Sequence, residues 1–201
     1  MHRLALMGIA LAALAAPVRA GTTWEIDPAH TNVQFAVRHM MISTVRGEFG
    51  KVSGTVEADD QDLTRSKVTA AVDPATINTR EPKRDEHLKS PDFFDVARFP
   101  TITFVSKKIE PAGEGRWKMT GDLALHGVTR EVVLDVDSPA TTVKDFQGNV
   151  RAGARATTKI NRKDFGIVWN KSLDGGGIAV GDEVEITIDV EGVKKAAAAG
   201  G

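Results

Sequence analysis

Cysteine is absent from this sequence. That excludes disulfides, thiolate zinc sites and a cysteine nucleophile, and leaves the core alone to stabilise the fold. A surplus of basic charge is missing too. The chain carries 26 Lys and Arg against 27 Asp and Glu, and two of the arginines fall within the first twenty residues. The remainder is slightly acidic, which suits neither a nucleic-acid partner nor an electrostatic membrane anchor. Beyond those twenty residues no apolar run approaches the roughly 20 positions that a spanning helix needs. Metal-ligand spacing is lacking as well: His30, His39, His87 and His126 form no HxH or HxxxH pair. Ser43, Ser53, Ser90 and Ser172 sit in no GxSxG context. The Gly175–Gly177 run does not lead a strand into a helix with Lys-Ser/Thr, so it reads as a loop and not a phosphate cradle. Nothing in these patterns compels an enzyme.

What is present begins with the amino terminus. His2 and Arg3 form a short basic region, Leu4–Ala16 is apolar, and Pro17 precedes Val18-Arg19-Ala20. That order is the layout of a cleavable signal peptide over residues 1–20, so export is expected. A single domain is expected over residues 21–193. The tail from Lys194 to Gly201, rich in alanine and ending in two glycines, reads as flexible.

The domain alternates with period two. Val33, Phe35 and Val37 form one face, as do Val68, Ala70 and Val72; Ile102 and Phe104; and Trp117, Met119, Gly121, Leu123 and Leu125. So do Val132, Leu134 and Val136; Ala152, Ala154, Ala156, Thr158 and Ile160; and Val184, Ile186, Ile188 and Val190. Charged and polar residues occupy the opposite faces, as in half-buried antiparallel sheet. Arg46–Ala58 reads as one curved strand bent at its glycines. Turns are expected at Pro111–Gly113, His126-Gly127, Gln147–Asn149 and Asp174–Gly177. About eight strands joined by hairpins favour an all-β closed barrel, with a two-sheet sandwich as the alternative. Two stretches break the period. Arg80–Val96 reads as a short helix that starts at Pro82, ends before Pro91 and leads to Phe93 and Phe94. Asn161 reads as the cap of a single helical turn.

The inner face mixes large residues with Gly121 and three alanines. Either the lumen holds one small ligand or neighbouring side chains fill it. A polar group also stands out: Arg84, Asp85 and His87 beside the aromatic turn, and Arg38 with His39 at a strand end. These side chains either orient a ligand head group at the barrel mouth, or Asp85 pairs with Arg38 or Arg84 and caps the helix.

The segments WEIDPAHTNVQFAVRHMMISTVRGEFG (24–50), INTREPKRDEHLKSPDFFDVARFPTITFVS (77–106), GDLALHGVTREV (121–132), NRKDFGIVW (161–169) and VGDEVEITIDVE (180–191) occur in this order. Together they resemble the YceI-like family of polyisoprenoid-binding proteins. Thr31 stands where the family usually has Ser, and both offer a hydroxyl. The resemblance implies an eight-stranded antiparallel barrel like an extended lipocalin, covered by a short helix. It implies a pore for a polyisoprenoid, a quinone or a fatty-acid-like lipid, periplasmic residence and no catalytic triad, and it is compatible with a homodimer. The family motif residues Arg38, His39, Asp85, His87, Phe93 and Phe94 match here. With the inward-facing positions, the expected ligand-binding residues are Phe35, Val37, Arg38, His39, Phe49, Asp85, His87, Phe93, Phe94, Phe104, Trp117, Leu123, Leu125, Phe165, Trp169 and Ile186. No cofactor is expected. Two alternatives to a lipid carrier are an enzyme acting on an isoprenoid with the Asp85/His87 region as acid and base, and a packed barrel that serves as a surface for a membrane redox partner.

Overall fold

The computed structural model describes residues 21–138 and 141–196. The expected signal peptide and the last five residues of the expected tail lie outside the described residues. The strands are β1 (Thr22–Ile26), β2 (Asn32–His39), β3 (Ser43–Phe49), β4 (Val52–Ala58), β5 (Lys67–Val72), β6 (Ile77–Asn78), β7 (Ile102–Gly113), β8 (Arg116–Leu125), β9 (Val128–Asp137), β10 (Thr142–Lys144), β11 (Val150–Asn161) and β12 (Val180–Lys194). Among the described residues one α-helix, α1, spans Pro82–Lys89.

These segments make a closed barrel of eight antiparallel strand paths, because three paths are each interrupted once. β1 and β2 both pair with β12, and on their other side with β4 and β3. β3 and β4 therefore form the single curved path expected from 46–58, broken at Gly50 and Lys51. β5 and β6 continue beside them. From β7 the chain meanders through β8, β9 and β11 to β12. Pairing of β12 with β1 and β2 closes the ring and leaves no long open edge there. β10 is a short extra strand on β11.

Two boundaries differ from expectation. Pro111–Gly113 is not a turn: Pro111 pairs with Trp117 beside a register shift, where a proline is tolerated, and the reversal falls at Glu114-Gly115. The carboxyl-terminal strand also runs past 193. Lys194 pairs with Trp24, the Lys195 amide donates to the Thr23 carbonyl at 2.8 Å, and the Lys195 ammonium meets the Glu25 carboxylate.

The helix lies where Pro82 and the following helix formers put it. Glu81 caps it by accepting from the Lys83 amide, and Ser90 ends it before Pro91. The Asn161 side chain accepts from the Lys163 amide and caps a one-turn 3₁₀ helix over Arg162–Phe165. At this end the segment between β6 and β7 and the segment between β11 and β12 fold over the barrel. Phe93, Leu125, Ile160, Phe165 and Ile167 form the buried cluster beneath them.

An apolar lumen as candidate binding site

The period-two faces do point inward, and they do not fill the barrel. A cavity of about 400 Å³ runs through it, within the range of small-molecule sites. On β8 the lining extends from Trp117 to Leu125, about 26 Å along the strand. With strands tilted ~40° from the barrel axis this corresponds to ~20 Å of axial depth. Ala154 and Ala156 form part of the wall.

Two aromatic rings of the wall lie over glycines of neighbouring strands. The Phe35 ring rests over Gly47 on the paired strand: a Cβ at position 47 would stand 2.4 Å from Phe35 Cζ. The Phe104 ring covers Gly121 on β8 in the same way, 2.4 Å from where a Cβ would be. An aromatic laid across a cross-strand glycine replaces the missing side chain and completes the wall.

The two ends differ. At one end Phe93 and Ile167 are buried and line the floor with Phe94 and Leu88. At the other, Leu63 lines the cavity with Ser66 and Ser138 while itself 41 % exposed, so the lumen meets solvent there.

Of the expected binding residues, Phe35, Val37, Phe49, Phe93, Phe94, Phe104, Trp117, Leu123, Leu125 and Ile186 line the cavity. The other six do not, and each has a different task. Phe165 is 2 % exposed and packs beneath the floor. Trp169 stands behind Phe93 at 5.2 Å between ring centroids, and His87 meets both rings edge-on at 5.1 and 5.0 Å. His87 Nε2 lies 2.7 Å from the Asp92 carboxylate. Asp85 is not paired with Arg38 or Arg84 as the simpler reading had it. Its carboxylate accepts from the amide and hydroxyl of Thr79, at 2.9 and 2.5 Å. Arg38 faces away from the lumen, as its neighbour Val37 faces into it, and it donates to Thr44 Oγ1 and to the Met41 carbonyl. That braces a turn in which Met40 and Met41 both have positive φ. His39 ends β2, paired with Ser43 and Val180. Neither polar group therefore converges on a head group inside the barrel.

The sequence reading missed Arg162. This guanidinium is 4 % exposed and sits at the cavity floor. Nε donates to the Gly181 carbonyl at 2.8 Å, and Nη1 to the carbonyls of Ile167 and Trp169 at 2.7 and 2.8 Å. Nη2 reaches the Val180 carbonyl and Asp182 at 3.3 and 3.4 Å. All five donors are thus engaged, which a buried arginine requires. Burial pulls its pKa below the ordinary value, and the Asp182 charge opposes that shift. Arg162 is the only charged side chain among the described lining residues. It fastens the floor and offers no free donor to a ligand.

Among the described residues one cluster of possible metal ligands appears that spacing did not reveal: Asp27, His30 and Glu191. Arg151 already occupies it, donating to Asp27 and Glu191 at 2.6 Å each and to Asp145 at 2.7 Å. The Arg151 bond, then those from His30 and the Ala29 amide, hold the Asp27 carboxyl well below the usual carboxylate range. Asp145 is held low by Arg151 first and Asn149 second.

A YceI-like domain model matches residues 24–192. The chain belongs to the YceI-like family. A Staphylococcus aureus UPF0312 protein (strain MSSA476) is 36 % identical over 170 residues, covering 85 % of this chain and 96 % of that protein. Among solved structures, Campylobacter jejuni YceI protein is 30 % identical with a TM-score of 0.66, over 79 % of this chain and 90 % of its own. Burkholderia cenocepacia BcnA is similar at 24 % identity and a TM-score of 0.72, over 83 % and 98 %. A polyisoprenoid binding domain from Saccharophagus degradans matches at 13 % identity and a TM-score of 0.62, over 86 % and 98 %. The last two share the fold of this chain.

Proposed function

We propose that this protein is a periplasmic carrier that holds a polyisoprenoid, a quinone or a similar long-chain amphiphile in its barrel. The observation that carries the reading is the lumen itself: an apolar wall that runs from Phe93 to Leu63 and closes at one end only. Burying each CH₂ of a chain gains about 0.8 kcal/mol. Ten such groups give roughly 8 kcal/mol before the cost of ordering chain and protein. Such a wall separates chains differing by one methylene poorly, so selectivity for exact length is modest. The polyisoprenoid binding domain of the Saccharophagus protein, on the same fold, supports the ligand class. The signal-peptide-like first twenty residues support the compartment. A binding role, not catalysis, fits a lumen whose only charged lining side chain, among those described, has every donor engaged.

The test is native mass spectrometry of the purified protein, followed by delipidation and melting with a prenyl alcohol and with a quinone. A bound species of lipid mass, and a rise in melting temperature with added lipid, are expected. A lipid-free native spectrum together with unmoved melting in both additions sinks the carrier reading.

A further inference from the structure

A second concavity lies on the outside of the barrel wall, on β2, β3 and β6 beside the start of α1. It is a groove of about 420 Å³ whose lining includes Arg46, Arg80, Arg84, Asn78, Thr79 and Glu48. Three guanidinium groups thus share one depression with one carboxylate. That carboxylate accepts from Asn32 Nδ2 at 3.2 Å and keeps its charge, but among the described residues it pairs with none of the three, and the groove carries a net positive charge. Arginines brought together in a folded chain ordinarily have acidic partners, because like charges in one depression repel. Here they do not. Among the described residues neither Arg46 nor Arg80 donates a side-chain hydrogen bond or joins an ion pair.

The groove is also built, through a buried polar relay. Thr79 is 4 % exposed and gives both its amide and its hydroxyl proton to Asp85. Its hydroxyl oxygen and carbonyl then accept from Arg84 Nε and Nη2, at 2.7 and 2.8 Å. Two of the five Arg84 donors are fixed in this way, so the guanidinium is oriented in advance, and its other three remain. Arg80 follows directly with φ 65°, its amide held by the Asn78 side chain at 2.9 Å. A long side chain in the left-handed region carries a conformational cost that the surroundings must offset. The inner edge is an open strand side. β3 pairs with β6 only at Glu48 and Phe49, so Arg46 and Gly47 have no ladder partner there. Thr79 stands beside this edge, its Cγ2 2.8 Å from where a Cβ on Gly47 would be.

From this geometry we infer that the Arg46–Arg80–Arg84 groove is a binding site for a phosphate-class oxyanion, distinct from the lumen. Planar guanidinium forks match phosphate oxygens two at a time, and the missing counter-charge is the one the ligand brings. The anion arrives either as free phosphate or as the head group of a phosphorylated lipid. Neither source requires the lumen to be a carrier site.

The experiment titrates purified protein with inorganic phosphate and follows the arginine Nε–H resonances by NMR. In parallel, a prenyl phosphate and the prenyl alcohol of the same chain length are compared by calorimetry. The variants are Arg46→Ala and Arg80→Asn, the latter because asparagine tolerates positive φ, with Lys83→Ala as an exposed control outside the groove. Saturable shifts of the arginine signals are expected, with affinity falling roughly tenfold for each groove guanidinium removed and less than about twofold for the control. Prenyl phosphate binding more tightly than the alcohol, with the preference erased in the double variant, assigns the site to a lipid head group. Dependence on Arg46 and Arg80 for inorganic phosphate alone assigns it to the free anion. If neither inorganic phosphate nor prenyl phosphate depends on these two residues, the site is refuted. Loss of alcohol binding in every protein bears on the lumen only.

Discussion

Gly47→Ala tests whether the lumen is the place where a ligand sits. The added methyl would meet Phe35 at 2.4 Å (Cζ) and 2.6 Å (Cε1), and Thr79 Cγ2 at 2.8 Å. Ordinary carbon contacts lie near 3.5–4.0 Å, so the ring must shift by about 1 Å or more. The barrel wall is behind it and the cavity in front, so it moves into the lumen. Overpacking of this kind costs typically 1–3 kcal/mol, toward the lower end where open space receives the ring. If the displaced ring excludes two or three methylenes from contact, affinity for a long-chain ligand falls by about 2 kcal/mol, a factor near thirty. Calorimetry with a prenyl alcohol measures the affinity and urea unfolding the stability. Gly47→Ala combined with Phe35→Leu should recover most of the binding, because the smaller side chain leaves room for the methyl, and the two changes should be strongly non-additive. Undiminished affinity in Gly47→Ala, at an unfolding midpoint that shows the ring has been disturbed, would refute the placement of ligand in the lumen.

Other expectations follow from the same geometry. Ala154→Phe adds a ring to a wall position; it should abolish ligand-induced stabilisation while costing the empty protein less than about 1 kcal/mol in urea, whereas a tightly packed interior would lose 1–3. Arg162→Met should cost several kcal/mol, about 3–5, because buried carbonyls lose their donors, and Arg162→Lys should recover little, since an ammonium cannot reproduce the fork. Arg151→Ala bears on pH. Asp27 and Asp145 have folded pKa values held below the ordinary range, so their contribution is present above about pH 4 and is lost as pH falls toward the folded values. The stability gap between wild type and variant should be full near pH 6 and shrink below pH 4 in denaturant titrations; a gap that persists unchanged to pH 2 would refute this linkage.

The alternation that marks the barrel strands is a local signal, and it located the inward face of seven of the eight strand paths because side-chain direction along a strand has a fixed period; the glycine-rich β3/β4 path showed only as a curved strand. The cap at Asn161 and the helix at Pro82 were legible for the same reason, since both depend on a few neighbouring residues. What escaped was tertiary. Phe35 and Gly47 are ordinary residues until strand pairing lays one over the other. Asp85 could have reached several partners, and only the fold hands it Thr79. Phe165 ends a helical turn and Trp169 follows it, so strand alternation says nothing of their direction. Arg162 did carry a signal. It continues the inward series Ala156, Thr158, Ile160 by one more step of two, and an inward-facing arginine at a strand end is a side chain that needs carbonyls around it. The arginine groove was invisible because Arg46 lies more than thirty positions before Arg80.

The closing strand has a consequence for how the molecule forms. β12 touches β11, which precedes it, and β1 and β2, which lie at the opposite end of the domain. A chain emerging amino terminus first can assemble its hairpins one after another. It cannot shut the cylinder until Val180–Lys194 has arrived, and until then two flanks of backbone donors and acceptors stand open. Such distant pairing makes folding slow compared with helical domains of this size. Truncation anywhere within that strand should therefore yield an open, self-associating sheet and not a smaller barrel, so the last strand decides whether the chain becomes a container at all.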